Sequence, residues 1–344
     1  MKFLRFFLFP FALLYGLVVL LRNGMYKMKW FRSTKFSVPI INVGNLSMGG
    51  TGKTPHVEYL IRLLEEERNV VTLSRGFGRK TQGFRLAGNE DSAKTIGDEP
   101  FQYFKKFGKE INVAVDAKRV LGVVDIMRNL PETNTILLDD AFQHRAISPG
   151  FNILLTTYDQ PYSADFILPM GDLREFRNGK NRADVVVLTK CPSLDLDKAQ
   201  WRKKLGLLEN VPLFFSKIKY GKILSLTGQD FITKDIILVT GIAKSEPLKN
   251  ELSKSYNILH HFNFNDHHNF TIKDLQNIHN IFGKFADAKT PAIITTEKDA
   301  MRLQGDETKE AIKDYPWFYQ EISVELDDEP KFNQLIKAYV KEDN

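Results

Sequence analysis

The sequence predicts an α/β protein: a doubly wound parallel sheet, with a second, smaller α/β domain after it and a hydrophobic helix before it. Three observations lead to this fold class. Apolar runs of strand length alternate with helical stretches, residues Phe6–Leu21 carry no charge, and a second series of strand-like runs begins near Pro212. Dense alternation of strands and helices is typical of parallel sheets covered on both faces. The predicted units are therefore residues 1–35, 36–210 and 211–344.

The composition is that of a folded protein, and it excludes some kinds of site. Among 344 residues Cys191 is the single cysteine, which rules out a disulfide framework and a cysteine-based structural zinc cluster. The net charge of +6 is mild. It is compatible with nucleic acid, an anionic membrane or a phosphorylated substrate, and composition alone does not choose among them.

The uncharged segment Phe6–Leu21 predicts a membrane anchor. As a helix it would span roughly 24 Å at about 1.5 Å per residue, slightly less than a hydrocarbon core of ~30 Å. Snorkelling of Arg5 and Arg22 would close that gap. The C-terminal flank is the richer in basic residues, which assigns it to the cytoplasm. A buried or interfacial helix is the alternative, and a signal peptide is disfavoured because no small-residue cleavage site follows.

The strand-like runs that follow the anchor form two series. Those of the first are Val38–Val43, Val70–Ser74, Ile111–Val115, Thr135–Asp139, Ile153–Thr156 and Ala183–Thr189. Those of the second are Leu213–Ser216, Ile236–Thr240, Asn257–His260, Pro291–Thr295 and Phe318–Val324. Between the first two strands, apolar residues recur at the spacing of one helix face: Val57, Leu60, Ile61 and Leu64.

A glycine-rich segment lies between the first strand and the first helix: Ser47-Met48-Gly49-Gly50-Thr51-Gly52-Lys53-Thr54. Strand, loop and helix in this order are the context of a phosphate-binding loop, or P-loop. Its backbone N–H groups point at phosphate oxygens, and the helix N-terminus adds positive potential. We predict that Lys53 bridges the β- and γ-phosphates of a bound nucleotide and that the Thr54 hydroxyl ligates Mg²⁺. Ser47 departs from the strict pattern, which has glycine there.

A second segment has the pattern of a strand that holds magnesium. The apolar run Thr135–Asp139 ends in a carboxylate and is followed by another, Asp140. Beside a P-loop, such a strand places a carboxylate near the metal of the bound nucleotide. The alternative is a turn with two solvated carboxylates.

Two patterns indicate the class of nucleotide and of protein. Guanine-specific proteins carry [NT]-K-x-D after a late strand, but here Thr189-Lys190-Cys191 is followed by Pro192, which favours ATP. Membrane-bound ATPases that switch a partner by nucleotide-driven dimerisation have the loop K-G-G-x-G-K-T. Met48 occupies the position of their first lysine, which weakens this class without excluding it. A plain nucleotide-binding scaffold remains a third class.

Further motifs are spread over nearly the whole chain. They include Ser74-Arg-Gly-Phe-Gly-Arg79, Gly97-Asp-Glu-Pro100, Asp139-Asp-Ala-Phe-Gln-His144, Leu168-Pro-Met-Gly-Asp-Leu-Arg-Glu175, Arg182-Ala-Asp184, Thr240-Gly-Ile-Ala243, Asp266-His267 and Thr296-Glu-Lys-Asp-Ala300. With the P-loop and the hydrophobic N-terminus, their order and spacing make the chain similar to the tetraacyldisaccharide 4'-kinases, the lipid A 4'-kinases of Gram-negative bacteria. Two departures are Ala141, where the family has glycine, and Pro247, which follows Ala243 at a greater distance than the family's proline.

The resemblance implies a reaction, an architecture and a location. The reaction is transfer of the γ-phosphate of ATP, with Mg²⁺, to the 4'-hydroxyl of an acylated glucosamine disaccharide 1-phosphate, which yields lipid IVA. The architecture is two α/β domains, the C-terminal one closing the active-site cleft. The location is the cytoplasmic face of the inner membrane, where a four-chain acceptor is held at about 0.8 kcal/mol for each buried CH₂. Neither nucleic acid nor an obligate protein partner is expected.

The resemblance also implies the catalytic residues. A sugar hydroxyl is a poor nucleophile near neutral pH, so a carboxylate or imidazole should accept its proton. By resemblance Asp98 is this base, working with His267, and Lys53 is the third catalytic residue. Without the family, Asp98 would be interpreted as a loop or helix-cap residue, and His267 as one of several solvated histidines.

The remaining predicted residues contact the metal or the lipid headgroup. Glu99 and Asp139 are expected to join Thr54 as magnesium ligands. Arg75 and Arg79 would meet the 1-phosphate or the transferred phosphate, because guanidinium groups suit phosphate oxygens. The others expected at the substrate are Asp140, Gln143, His144, Arg174 and Glu175. For Lys298 and Asp299, catalysis and an ion pair that holds the second domain are both open.

Overall fold

The computed structural model describes residues 3–342, without the side chains of residues 3, 4, 286–289, 306 and 342. Its strands are β1 Ile40–Asn45, β2 Val70–Ser74, β3 Arg85–Leu86, β4 Asn112–Val115, β5 Thr135–Asp139, β6 Phe151–Thr157, β7 Val185–Thr189, β8 Leu213–Ser225, β9 Asp235–Thr240, β10 Asn257–Asn263, β11 Ala292–Thr296 and β12 Trp317–Leu326.

The helices cover both ends of the chain and the segments between strands. They are α1 Phe9–Lys27, α2 Lys53–Leu64, α3 Ala93–Ile96, α4 Asp98–Phe107, α5 Arg119–Asn129, α6 Lys198–Leu205, α7 Glu246–Leu252, α8 Ile272–Lys289, α9 Glu297–Leu303, α10 Asp306–Ile312 and α11 Glu329–Glu342. Short 3-10 helices cover Phe3–Leu8, Tyr162–Ala164 and Arg177–Arg182.

Within residues 3–342 the strands join into one 12-stranded sheet in the order β10-β9-β11-β12-β8-β7-β6-β1-β5-β2-β4-β3. Most neighbours are parallel; β3 with β4 and β8 with β12 are antiparallel. Strands β1, β5 and β2 are buried throughout their lengths, as the continuously apolar runs predict. The predicted α/β fold class is confirmed.

Strand β8 joins the two halves of the sheet. Leu213–Phe215 pair in parallel with β7, whereas the remainder of the strand pairs antiparallel with β12. The sequence predicts a strand that ends at Ser216, but it continues to Ser225. Its outer part mixes half-buried and exposed residues without regular alternation, a weaker signal than a continuous apolar run.

Other predicted strands differ from the structure at their ends. Strand β1 begins at Ile40 and not at Val38, because Pro39 has no N–H to donate to a neighbouring strand. The two-residue strand β3 is absent from the predictions, since it is too short for a periodic pattern. The carboxyl ends of β1, β2 and β5 nevertheless meet at one edge of the sheet, where the predicted site residues follow them.

Helix α1 packs one narrow face on the rest of the chain. Ala12, Gly16 and Val19 are buried, whereas Leu14 and Leu17 are 63% and 52% exposed. Within the segment Arg5–Lys27 a window of 18 residues has a mean hydropathy of 1.8, so the helix is long and apolar enough to cross a membrane. A largely exposed apolar helix surface of this kind indicates contact with lipid or with a partner.

Candidate active site

The P-loop connects β1 to α2 with the geometry that a phosphate needs. Gly49 and Gly52 adopt φ of +97° and +86°, a backbone region that side chains disfavour, whereas Ser47 lies outside that region. Ser47 pairs as an isolated bridge with Leu173. Serine is therefore compatible with the position at which the strict pattern has glycine.

Side-chain hydrogen bonds hold the P-loop in place. Asn45 Nδ2 donates to Thr51 Oγ1 at 3.0 Å, and the hydroxyl of Thr189, on β7, donates to the Thr51 carbonyl at 2.8 Å. His56 Nδ1 contacts the Gly52 carbonyl at 2.7 Å. Burial lowers the pKa of His56 to about 4, so the ring is neutral near pH 7 and donates through Nδ1.

Lys53, the lysine that the sequence predicts to be catalytic, faces the carboxylates that follow β5. Lys53 Nζ lies 3.6 Å from Asp140 Oδ1, and Arg174 Nη1 donates to both oxygens of Asp140 at 2.9 and 3.0 Å. Burial acts to raise the pKa of Asp140, but the charges of Lys53 and Arg174 outweigh it and lower that pKa. Asp140 is thus a charged carboxylate bound between two cations.

Asp139 is buried and only half satisfied. Its Oδ2 accepts a hydrogen bond from the Tyr103 hydroxyl at 3.1 Å, whereas its Oδ1 is buried without a partner. Burial raises the pKa of Asp139 to about 7, although the positive charge of Lys53 acts to lower it. The negative charge of Glu99 raises this pKa further. A buried carboxylate oxygen without a donor, close to a P-loop lysine, fits a divalent cation.

Within the described part of the chain, no group of three or more His, Cys, Asp or Glu residues is arranged to hold a metal ion. A site for Mg²⁺ does not require one, because this ion keeps several waters and takes one or two carboxylates together with substrate phosphates. Thr54, the second residue of α2, and Asp139 suit that pattern. Glu99, the third predicted ligand, instead forms an ion pair with Lys298, whose Nζ lies 2.8 Å from Glu99 Oε1.

Asp98 and His267 come together from the two halves of the sheet. Asp98 is the first residue of α4, and His267 lies in the loop after β10. His267 Nδ1 is 3.7 Å from Asp98 Oδ2, beyond hydrogen-bond range. Between them lies Arg302 of α9, which donates to Asp98 Oδ2 through Nε at 2.8 Å and contacts His267 Nδ1 at 3.2 Å through Nη2.

The charge of Asp98 depends on these neighbours. Burial acts to raise the pKa of Asp98, but the contacts with His267, Arg302 and Lys298 outweigh it and hold that pKa below the ordinary aspartate value. Since the imidazole is beyond hydrogen-bond range, we assign the larger part of this stabilisation to Arg302. The other histidines of the segment make different contacts: His260 with Phe262, His261 with Thr240 and His268 with Asp274.

Three residues of this region have left-handed backbone conformations although they are not glycine. They are Asp140, Lys190 and His267, with φ of 53°, 57° and 59°. Such conformations are uncommon outside glycine and concentrate at functional sites. Two of the three are residues that the sequence assigns to the site.

The two arginines of the Ser74–Arg79 loop have different surroundings. Arg75 is exposed, and its charge contributes to lowering the pKa of His144, for which burial is the first cause. Arg79 donates to the carbonyl of Gly83 at 2.6 Å, within its own loop. Arg75 is therefore free to meet a phosphate. Arg79 stabilises the loop through Nη2, while its Nη1 is buried without a hydrogen-bond partner, and its contact with a phosphate remains a prediction.

Four of the residues predicted at the substrate, Asp140, Gln143, Arg174 and Glu175, form one network beside the P-loop. Gln143 Nε2 donates to the Asn45 carbonyl at 2.8 Å and to Glu175 Oε1 at 3.0 Å. Glu175 is buried and paired with Arg182 at 2.7 Å, so it holds this network together from inside. Arg174 extends from it toward Asp140.

Helix α1 lies on the same network. The Tyr15 hydroxyl donates to the carbonyl of Arg174 at 2.9 Å, and Arg22 Nη2 donates to the carbonyl of Gln143 at 2.8 Å. Near the start of the helical segment, Arg5 pairs with Asp172 at 2.8 Å. The apolar helix α1 and the predicted headgroup contacts are therefore adjacent.

Sequence reasoning missed Arg302, Tyr103 and Arg119, which hold Asp98 and Asp139. Arg119 Nη2 donates to the carbonyl of Asp139 at 3.3 Å, and burial lowers the pKa of Arg119 to about 10. A signal existed for Arg302 alone. It lies four residues after Lys298, on the same face of a helix that begins in a recognised motif.

The chain is similar in sequence and in structure to proteins of one known family. A model of the family described as tetraacyldisaccharide-1-P 4'-kinase matches residues 4–341. The chain belongs to the tetraacyldisaccharide-1-P 4'-kinase family. Relatives named tetraacyldisaccharide 4'-kinase are 43% identical in Flavobacterium johnsoniae, with 99% of each chain covered, and 40% identical in Bacteroides thetaiotaomicron, with 97% of this chain and 93% of the relative covered.

A solved structure of this kinase family has the same fold. The crystal structure of LpxK from Aquifex aeolicus in complex with ATP superposes with a TM-score of 0.76 at 27% identity. The match covers 98% of this chain and 99% of that chain. Since the family is a phosphotransferase family, the chain is a kinase, and the partner-switching ATPase is not favoured.

Proposed function

We propose that this chain transfers the γ-phosphate of ATP to the 4'-hydroxyl of tetraacyldisaccharide 1-phosphate, the step that forms lipid IVA. The observation that carries the proposal is a continuous charged cluster in a chain of this family. It runs from Lys53 through Asp140 and Asp139 to Glu99, whose charge acts on Asp139, and then to the adjacent residue Asp98 and to His267. A phosphate-binding end and a proton-accepting end would therefore belong to one site.

The P-loop end would bind and orient the nucleotide. Residues 47–54 would surround the β- and γ-phosphates, and Lys53 would neutralise charge that develops on the transferred group. The residues that would hold Mg²⁺ are Thr54 and Asp139, with Glu99 after it leaves Lys298. When bound, the ion supplies positive charge to the β- and γ-phosphate oxygens.

The other end would accept the proton of the attacking hydroxyl. Asp98 is a half-buried, ionised carboxylate, and His267 supplies an imidazole within 4 Å of it. A proton acceptor positioned at the nucleophile contributes typically 10²–10⁴-fold to a rate. Arg75, His144 and Arg174 would meet the headgroup and its 1-phosphate, with Gln143 and Glu175 supporting them.

We further propose that α1 lies in the membrane interface and does not cross the bilayer. Contacts with the rest of the chain run from Arg5, in the 3-10 helix that precedes α1, to Asn23 of α1, so the helical segment is held against the same surface near both of its ends. The opposite face would insert among acyl chains, while basic residues after it meet anionic lipid. Because ATP is cytoplasmic, the location would be the cytoplasmic face of the inner membrane.

Membrane binding by α1 can be tested by a triple exchange on its exposed face. Leu14→Ser, Leu17→Ser and Leu21→Ser together should weaken binding to anionic vesicles by about 100-fold, since burying each leucine is worth ~1 kcal/mol or more. Flotation with vesicles measures it. Leu208→Ser, at an exposed leucine remote from α1, is the control and should bind as the parent chain does. Unchanged flotation of the triple variant would exclude α1 as the membrane contact.

The orientation of α1 needs a separate readout. Cys191 is buried, so a cysteine introduced by Arg5→Cys would be the accessible thiol. Protein added to preformed vesicles should react there with a membrane-impermeant maleimide added outside. Protection until the vesicles are opened would mean that the helix crosses the bilayer.

The three predicted units fit this scheme as parts with different tasks. Residues 1–35 would hold the enzyme at the lipid, 36–210 would bind ATP, and 211–344 would bring His267 to the cleft. Closing of the last unit would exclude water during transfer. The boundary near residue 210 falls just before β8, which pairs with both halves of the sheet.

Mass spectrometry of the product tests the function directly. With Mg²⁺-ATP in detergent, the purified protein should add one phosphate to the disaccharide 1-phosphate, and fragmentation should place it at the 4'-position. ATP hydrolysis without a phosphorylated lipid would instead favour a partner-switching ATPase. Failure with an acceptor that a related kinase phosphorylates under the same conditions would refute the proposal.

A further inference from the structure

Arg302 lies where the two halves of the molecule meet. It belongs to α9, which packs on α4, and its side chain is only 4% exposed although it is charged. On one side it contacts Asp98 Oδ2, at 2.8 Å through Nε and 2.7 Å through Nη2. Burying an arginine side chain costs free energy unless its N–H groups are hydrogen-bonded and its charge is paired. The contacts of Arg302 therefore indicate its role.

The opposite edge of the guanidinium is fixed by buried groups of its own half. Nη1 donates to Asp299 Oδ1 at 2.7 Å and to the Gly241 carbonyl at 3.1 Å. Asp299 is fully buried, and its other oxygen accepts from the Gly241 N–H at 2.8 Å and the Thr296 hydroxyl at 2.7 Å. These contacts therefore fix the orientation of the guanidinium plane independently of Asp98.

Arg302 also determines which nitrogen of His267 can carry hydrogen. A guanidinium has donors and no acceptor, so Nδ1 of His267, 3.2 Å from Nη2, must be the acceptor. The neutral ring then carries its hydrogen on Nε2. Lys298 Nζ, which is also a donor only, lies 3.5 Å from Nε2, but this contact is longer than that of Arg302 and the ammonium is paired with Glu99 at 2.8 Å. We therefore give the Arg302 contact priority; the acceptor nearest to the Nε2–H is then Asp266 Oδ2, 3.9 Å from that nitrogen.

The backbone of His267 is held in place by the same loop that holds Arg302. The N–H of His267 donates to the Gly241 carbonyl at 3.1 Å, and that carbonyl also accepts from Arg302. His267 adopts φ of 59°, a conformation that must be held by its surroundings. The Gly241 carbonyl therefore holds both the His267 backbone and the Arg302 guanidinium.

We propose that Arg302 is a positioning residue that fixes the Asp98 carboxylate and the His267 imidazole relative to each other and sets the Nε2–H tautomer of His267. This inference rests on the proposed function of the site. Arg302 acts through Asp98 and His267 and does not itself touch the reacting atoms. Lys298 is the competing candidate, but it is 27% exposed and its shorter contact is with Glu99.

A spectroscopic test measures the tautomer without any substrate. The ¹⁵N shifts of the histidine rings, recorded at about pH 8.5, where an ordinary histidine of pKa ~6.5 is neutral, should show His267 with hydrogen on Nε2. His267→Gln identifies its signals among those of 7 histidines. Arg302→Ala should give a mixture of tautomers, and Arg302→Lys should retain most of the Nε2–H form. The same tautomer in the Arg302→Ala variant would overturn the proposal.

Kinetics tests whether the positioning matters for transfer. Arg302→Ala should lower kcat by about 10²-fold, within the range of general acid–base contributions, while the Kd for ATP changes less than threefold. Arg302→Lys, or guanidinium chloride added at low millimolar concentration to the alanine variant, should recover part of kcat. In an Asp98→Asn background, Arg302→Ala should cost far less than in the parent chain. Independent, additive losses would overturn the proposal.

A matched control separates positioning from folding. Arg202 donates to the carbonyls of Leu208, Glu209 and Val211, remote from the cleft. Arg202→Ala should lower the thermal midpoint but leave kcat unchanged. If Arg302→Ala loses no more kcat than Arg202→Ala at equal folded fraction, its role is structural only. The tautomer measurement needs no lipid acceptor, so it can support Arg302 even if the parent chain fails to phosphorylate the disaccharide.

Discussion

Replacing Lys53 by alanine is expected to lower the rate of phosphoryl transfer by at least about 10²–10³-fold, the cost of removing one preorganised charge at a reacting centre. Lys53 begins α2, its side chain is only 15% exposed, and Asp140 lies 3.6 Å away. In the nucleotide complex its charge would face the β- and γ-phosphates. Because these phosphates are charged before transfer begins, ATP binding should also weaken, by about tenfold or more.

The rate is measured as phosphorylated lipid per unit time, and the Kd for ATP by calorimetric titration. Lys109→Ala is the matched control, because Lys109 is exposed beyond the end of α4. It should retain the parent values of both quantities. A Lys53→Ala variant with parent ATP affinity and rate would remove the P-loop from the proposed reaction.

Asp98→Asn is expected to lower kcat by about 10²–10⁴-fold, the usual contribution of a positioned general base, with the Kd for ATP within threefold of the parent value. Asparagine keeps the size of the side chain but cannot accept the hydroxyl proton. It also leaves Arg302 with a neutral partner, so its charge is less well compensated. The two substitutions therefore separate nucleotide binding from proton transfer.

The measurement for Asp98→Asn is single-turnover transfer at saturating ATP, which isolates chemistry from product release. Asp195→Asn, at an exposed loop position, is the control. His267→Gln, assayed in the same way, should also lose rate while binding ATP normally. A near-parent rate in Asp98→Asn would exclude Asp98 as proton acceptor and leave His267 as the candidate.

Much of the fold could be predicted because it depends on patterns local in sequence. Buried parallel strands such as β2 and β5 are short apolar runs, and the structure reproduces their predicted bounds, Val70–Ser74 and Thr135–Asp139. The outer part of β8 could not be predicted, because its residues are only partly buried. Its strand conformation comes from pairing with β12, about a hundred positions later in the chain.

The site divides in the same way. The P-loop and the carboxylates after β5 are recognisable because consecutive residues carry the chemistry: glycines with φ near +90°, a lysine at a helix start, and an apolar strand that ends in acid. For Glu175, by contrast, the surroundings in the fold and not the neighbouring residues in the sequence indicate the role. The sequence suggests a sugar contact, but the residue is buried and paired with Arg182, so its carboxylate supports the network from within.

The sequence by itself determined the fold class, the phosphate-binding loop and the family, since each follows from residues adjacent in the chain or from the order of motifs. The tertiary structure alone decided how Asp98 and His267 are joined. Arg302 and Asp98 are separated by 204 positions, and no pattern of neighbouring residues encodes their contact. Packing of α9 on α4 brings a buried guanidinium between carboxylate and imidazole. A charge in that position is tolerated only because Asp98 and Asp299 compensate it.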